Sequence, residues 1–273
     1  MGSHGTGSMD GREELAPPQS WTTITIKHKV PNGTRQLQLA AHPCDSFRLE
    51  TDGVCILEMP PALCKQLEVL RQLPHVQEVE KRQVVQARLA LEEWFHGQMP
   101  SCAHYFIRNV TVRDSHCETA ELLNRKQLAV QRPGGAFHID AEHTSLINLW
   151  LPLVDEHEAV SDFQFGFLRL ATGALLRTAD LNSMYKRDRR DFDRFAGAAS
   201  VVYKPRLRWG HVVVFQSGGE AAVCHGSFRF DHPMLRTNAR RTSVEFRCQR
   251  READGQSWAY GTSDEGSPGQ GSD

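Results

Sequence analysis

Phe137-His138-Ile139-Asp140 is the stretch on which the reading of this chain turns. In an extended strand, residues i and i+2 point to the same face. His138 and Asp140 therefore project side by side. An imidazole nitrogen next to a carboxylate oxygen is the mixed donor set that suits Fe(II). The same pair at a half-buried strand end also makes an ordinary His–Asp hydrogen bond. With 13 histidines in the chain, chance supplies such a triplet readily.

Two stretches further on add to it. Gly210-His211-Val212-Val213-Val214-Phe215 reads as a turn into a buried strand, and Cys224-His225-Gly226-Ser227 follows about ten residues later. A second histidine just past a strand-turn unit can close a set of two imidazoles and one carboxylate. That set covers one face of a metal and leaves the other face open, whereas structural metal sites are closed. Then comes Arg240-Arg241-Thr242-Ser243-Val244-Glu245-Phe246-Arg247. Val244 and Phe246 alternate with polar residues, so Arg241, Ser243 and Glu245 share a face. A buried guanidinium with a hydroxyl two residues on is a receptor for a carboxylate. The alternative is an exposed edge strand with a solvated charged face.

The rest of the second half is β-rich. Short strands read at Tyr105–Val112, Gln127–Gln131, Ala136–Ile139, Ser145–Leu151, Phe163–Leu170, Ser200–Tyr203, His211–Phe215, Ser227–Phe230 and Thr242–Cys248. Glycine and proline punctuate them, as at Pro133-Gly134-Gly135 and Gly218-Gly219. The charged segment Thr178–Arg194 reads as a helix or a loop. In the first half, Ile24, Ile26, His28 and Val30 alternate, Pro31-Asn32-Gly33-Thr34 turns, and Leu37 and Leu39 alternate again, a hairpin. Leu63, Leu67 and Leu70 recur at helical spacing, and so do Val76, Val79, Ala87, Leu91 and Trp94 after Pro74. Helices ahead of many short strands predict an α+β chain with a jelly-roll core.

Composition sets outer bounds. The 273 residues carry a net charge of −1, so no strong field draws the chain to nucleic acid or to an anionic membrane. No apolar run approaches the ~20 residues that span a bilayer. Seven scattered cysteines with no C-x-x-C pair argue against a disulfide framework or a structural zinc site and point to a reduced, cytosolic compartment. Residues 1–18 read as an expression scar ahead of Met9 plus a disordered lead, and 251–273 as a disordered tail. A single domain over 19–250 is expected between them.

The order H-x-D, a second histidine after a strand, then R-x-S on a terminal strand resembles the Fe(II)/2-oxoglutarate-dependent oxygenases. More narrowly it looks like the branch related to phytanoyl-CoA dioxygenase, which includes bacterial and fungal hydroxylases of small metabolites. The matching stretches are Phe137–Asp140, Leu149-Trp150-Leu151-Pro152-Leu153, Trp209–Phe215, His225 and Arg241–Arg247. The resemblance implies a double-stranded β-helix with flanking N-terminal helices. It implies Fe(II) on His138, Asp140 and His225, and O2 and 2-oxoglutarate as cosubstrates, the latter's distal carboxylate on Arg241 and Ser243. It implies oxidation of a small molecule with release of succinate and CO2. Halogenating relatives replace the metal carboxylate with a small residue; Asp140 is present, so hydroxylation, desaturation, epoxidation or cyclisation is the implied chemistry.

Two departures stand out. His211 occupies a place where the family usually shows an acidic residue, and we read it as structural. His225 and Arg241 are sixteen residues apart, slightly long, which leaves Arg236 and Arg240 as competing anchors. Asn148 and Trp150 share a strand face and are candidates to wall the 2-oxoglutarate pocket; core packing is the alternative for Trp150. Arg132 and His143 are candidate substrate contacts, and His143 is also a rival to His225 as ligand. Two other classes fit the same strands: a cupin-like metalloenzyme that uses no 2-oxoglutarate, and a non-catalytic β-barrel binding protein. Neither requires the Arg241–Ser243 pair.

Overall fold

The computed structural model of the chain describes residues 23–30, 33–72, 81–114, 121–123, 128–131, 137–140, 145–154, 163–180, 199–229 and 242–250. Strands β1 (Thr23–Val30) and β2 (Gly33–Pro43) form a hairpin in continuous register from Val30↔Gly33 to Thr23↔Ala40. Next come the short helix α1 (Leu49–Asp52), strand β3 (Val54–Glu58), helices α2 (Pro61–Gln66) and α3 (Val69–Gln72), and the long α4 (Lys81–Gln98). Nine strands follow: β4 (Tyr105–Asp114), β5 (Glu121–Leu123), β6 (Leu128–Gln131), β7 (Leu146–Pro152), β8 (Phe163–Leu170), β9 (Ala199–Tyr203), β10 (His211–Gly218), β11 (His225–Arg229) and β12 (Thr242–Arg250).

Seven strands make one sheet in the order β3-β10-β7-β12-β4-β6-β5. The other five close on themselves as β1-β11-β8-β9-β2. The two sheets face each other across a core in which Trp150, Val213 and Phe215 of the first meet Phe165, Phe167 and Val202 of the second. Together with the flanking helices, this is an α+β double-stranded β-helix.

The sequence of β7, Leu-Ile-Asn-Leu-Trp-Leu-Pro, is buried along its whole length. A strand covered on both faces loses the apolar–polar alternation of a half-exposed one. Ile147, Leu149 and Leu151 pack outward against a helical layer that includes Leu63, Leu67, Leu70, Ala87, Leu91 and Phe95. Asn148 and Trp150 turn inward. Truncating a leucine as buried as Leu149 to alanine typically costs ~2–5 kcal/mol, so this seam between helices and sheet holds β7 in place.

A second buried aromatic group joins Phe137, Tyr203 and Phe228. Tyr203 and Phe228 meet edge-on at 5.6 Å, and Phe137 stacks on Phe228 at 6.3 Å. Gly166 belongs here: a Cβ added to it would come within 2.8 Å of the Phe228 ring and of the Val202 carbonyl.

Two local expectations change. The leucine stripe 63/67/70 is two short helices rather than one, because the ladder breaks at Leu67 (φ −90°, ψ 0°) and tightens into i→i+3 bonds, although all three leucines stay buried. Helix α4 (Lys81–Gln98) buries Ala87 and Leu91 of the second stripe, whose Val76 and Val79 lie outside the described residues. Of the strand read at 136–139, the described part forms an isolated bridge at His138. The described cysteines, Cys44, Cys55, Cys64, Cys102, Cys224 and Cys248, are free thiols. Among the described residues no helix is long and apolar enough to cross a membrane.

Candidate metal centre

His138 reaches the site through the backbone of His225. The two residues exchange hydrogen bonds, His138 N–H to His225 O at 2.9 Å and His225 N–H to His138 O at 3.0 Å. Two residues on, the Asp140 N–H donates to Ser217 O at 2.9 Å, which pins the turn against the end of β10. The i, i+2 rule then brings His138 and Asp140 to one side, where His225 meets them from β11. One donor atom from each of the three lies within 4.8 Å of the others.

His225 is buried, and its Nδ1 stands 3.0 Å from the carbonyl oxygen of Val223. That carbonyl can only accept, so Nδ1 carries the proton and Nε2 keeps its lone pair. Burial, and next the neighbouring His138, push the imidazole down to a pKa of about 4. It is therefore neutral near pH 7, the form that binds metal. Burial works against a charge on Asp140, but the hydrogen bond from His138, then His225 and Arg247, outweigh it and hold the carboxyl well below the usual range. Two imidazoles and one carboxylate, brought this close together, fit Fe(II).

The carboxylate is gripped on both oxygens. Asn148 Nδ2 donates to Asp140 Oδ2 at 2.8 Å, and Arg247 Nη2 donates to Oδ1 at 3.1 Å. Asn148 Oδ1 in turn accepts from Ser217 Oγ at 2.9 Å. Such outer partners orient a ligand and tune its basicity. Ring against ring, His225 also packs on Phe215 at 4.6 Å and on His138 at 4.7 Å. The His138 side chain is 47% exposed, against 4% for Asp140 and 4% for His225, so the centre opens on the His138 side.

Further down β12, Ser243 lies on the same face as Glu245 and Arg247. It is 1% exposed, and among the described residues its Oγ has no hydrogen-bond partner. An orphaned buried hydroxyl on this wall fits a bound carboxylate, which would supply the missing acceptor.

No family model and no curated protein matches the chain. Solved structures do. One of the "iron and alpha-ketoglutarate-dependent endoperoxidase NvfI with different conformation" aligns with a TM-score of 0.52 at 15% identity, over 83% of this chain and 95% of that one. A second NvfI structure gives 0.50 at 14% identity, over 84% and 96%. The chain has their fold.

Of the remaining candidates, Asn148 faces the barrel interior as a partner of Asp140. Trp150 shares that face and stacks on Phe165 at 4.8 Å within the core. His211 opens β10, where its Nδ1 accepts from the Arg208 N–H at 3.3 Å. Arg241, Arg236, Arg240, Arg132 and His143 lie outside the described residues, as does most of Thr178–Arg194. Sequence reasoning did not single out Arg247, Arg113 or Ser217. The signal for Arg247 was there: it stands two residues after Glu245, on the face already assigned to Ser243.

Proposed function

We propose that the protein is an Fe(II)- and 2-oxoglutarate-dependent oxygenase that hydroxylates or otherwise oxidises a small metabolite, such as an amino acid or a natural-product intermediate, releasing succinate and CO2. The convergence of His138, Asp140 and His225 in a barrel of this fold supports the reading. The three residues hold the iron. Arg241 and Ser243 hold the distal carboxylate of 2-oxoglutarate, Arg241 through a charged fork and Ser243 through its unpartnered hydroxyl. When bound, iron and 2-oxoglutarate supply the oxidising chemistry that no amino-acid side chain provides.

The chain's own work is placement. Asn148 and Arg247 keep Asp140 aimed, and Val223 fixes the His225 tautomer. Trp150, Phe165 and Phe215 keep water from the wall behind His225. Arg132 and His143 contact substrate. Residues 19–250 act as one domain, and the free thiols are in keeping with a reducing cytosol.

The test is an anaerobic titration of the iron-loaded protein with 2-oxoglutarate, following the charge-transfer band of the chelate. A saturable band is expected, together with substrate-stimulated formation of succinate. Full iron loading with no band would remove 2-oxoglutarate and leave a cupin-like metalloenzyme.

A further inference from the structure

Arg247 joins two acidic residues. Its Nη2 donates to Asp140 Oδ1 at 3.1 Å, and its Nε donates to Glu245 Oε1 at 2.8 Å. The second Glu245 oxygen, Oε2, accepts from Arg113 Nη2 at 3.4 Å, and Asn148 Nδ2 bridges Glu245 Oε1 at 3.2 Å to Asp140 Oδ2. Arg113, Glu245, Arg247 and Asp140 thus alternate in sign, and their formal charges cancel.

A buried ion pair is weak grounds for stability, because desolvation offsets most of the attraction. Nor does β12 need one to stay in place. It is paired with β4 on one side and β7 on the other, and its opposite face buries Val244, Phe246 and Cys248 among the helices. What the chain of charges reaches is a metal ligand. A guanidinium on Asp140 fixes the carboxylate's direction, but alone it would also draw electron density from the ligand and weaken its hold on a cation. A carboxylate clasping the same guanidinium removes that second effect.

We propose that Arg247 and Glu245 are a coupled pair of positioning residues for the metal centre, Arg247 orienting the Asp140 carboxylate and Glu245 holding and neutralising Arg247. The proposal rests on reading His138, Asp140 and His225 as metal ligands; it does not depend on 2-oxoglutarate.

The experiment uses Co(II) as a spectroscopic probe on the full chain, with wild type, R247M, R247K, E245Q and the R247M/E245Q double variant. Affinity comes from the d–d bands, and the melting temperature of each metal-free protein is measured alongside. Loss of an outer partner typically costs ~10–100-fold in metal affinity. R247M is expected to fall in that range with altered bands, and R247K to recover part of the loss. E245Q should weaken Co(II) by a smaller factor, since it leaves an uncompensated cation on Asp140. In the double variant the two losses should be less than additive, because Glu245 acts chiefly through Arg247. If R247M does not fold, R247K and E245Q carry the same comparison. Wild-type affinity and bands in R247M, or additive losses in the double variant, would overturn the proposal while the metal centre stood. A wild-type chain that bound no Co(II) would overturn the metal centre and the proposal together.

Discussion

His138 and His225 face each other across a two-bond bridge, N–H to O at 2.9 Å one way and 3.0 Å the other, with ring centroids 4.7 Å apart. The bridge makes one backbone register responsible for both imidazoles. A shift of that register would move both imidazoles at once.

Each of the three donors should therefore be indispensable. His138→Ala, Asp140→Ala and His225→Ala should each cut Fe(II) affinity by at least an order of magnitude and abolish turnover, since each would remove one of the three proposed protein ligands. Equilibrium dialysis against Fe(II) under argon reads this directly. Full iron retention in His225→Ala, with loss in His143→Ala, would reassign the third ligand.

Ser243 and Arg241 should act on the cosubstrate and not on the metal. A hydrogen bond to a charged group is worth ~1.5–3 kcal/mol, or roughly ten- to a hundred-fold in affinity. Ser243→Ala should weaken 2-oxoglutarate by that factor while leaving the urea midpoint of the free protein nearly unchanged, because Oγ has no partner to lose among the described residues. Arg241→Ala should lose one to three orders of magnitude, from the ~2–5 kcal/mol cost of leaving a buried carboxylate unpaired. An unchanged titration in Arg241→Ala would move the anchor to Arg236 or Arg240.

The metal-free protein should lose stability on mild acidification. His225 falls from an ordinary value of 6.5 to about 4 on folding. Between those values the unfolded chain binds a proton that the folded chain refuses, so stability rises with pH across this window and is level above it. The full difference is of the order of 3 kcal/mol at ~1.4 kcal/mol per unit. Urea midpoints of chelator-treated protein from pH 4.5 to 7.5, compared with His225→Gln, isolate the contribution. Parallel curves for the two proteins would count against it.

Gly166→Ala tests the packing around Phe228. The added methyl would press on the Phe228 ring and the Val202 carbonyl at 2.8 Å, and overpacking of this kind costs ~1–3 kcal/mol. Thermal unfolding should show a drop of several degrees, and an unchanged midpoint would mean that β9 and β11 yield at no cost.

The sequence by itself determined what local period can carry. The alternation in 242–248 separates Ser243, Glu245 and Arg247 from Val244, Phe246 and Cys248, and β12 keeps that division with the apolar set in the helical core. The i, i+2 spacing put His138 beside Asp140, and glycine and proline marked where strands end. A jelly-roll core follows from that punctuation, because short strands must bury one face against another sheet.

What only the tertiary structure decided is who meets whom. The break at Leu67, the strand Val54–Glu58 and the small barrel closed by the hairpin have no periodic signature, since each exists only against its neighbours. Trp150 meets Phe165 because β7 faces β8 across the core, a juxtaposition no spacing announces. Arg247 and Asp140 are 107 residues apart in the chain, and Glu245 and Arg113 are 132 apart. A side chain's period sets the face it points to. The charge it will meet there is set by the order of strands in the sheet, and that order is fixed by long-range packing.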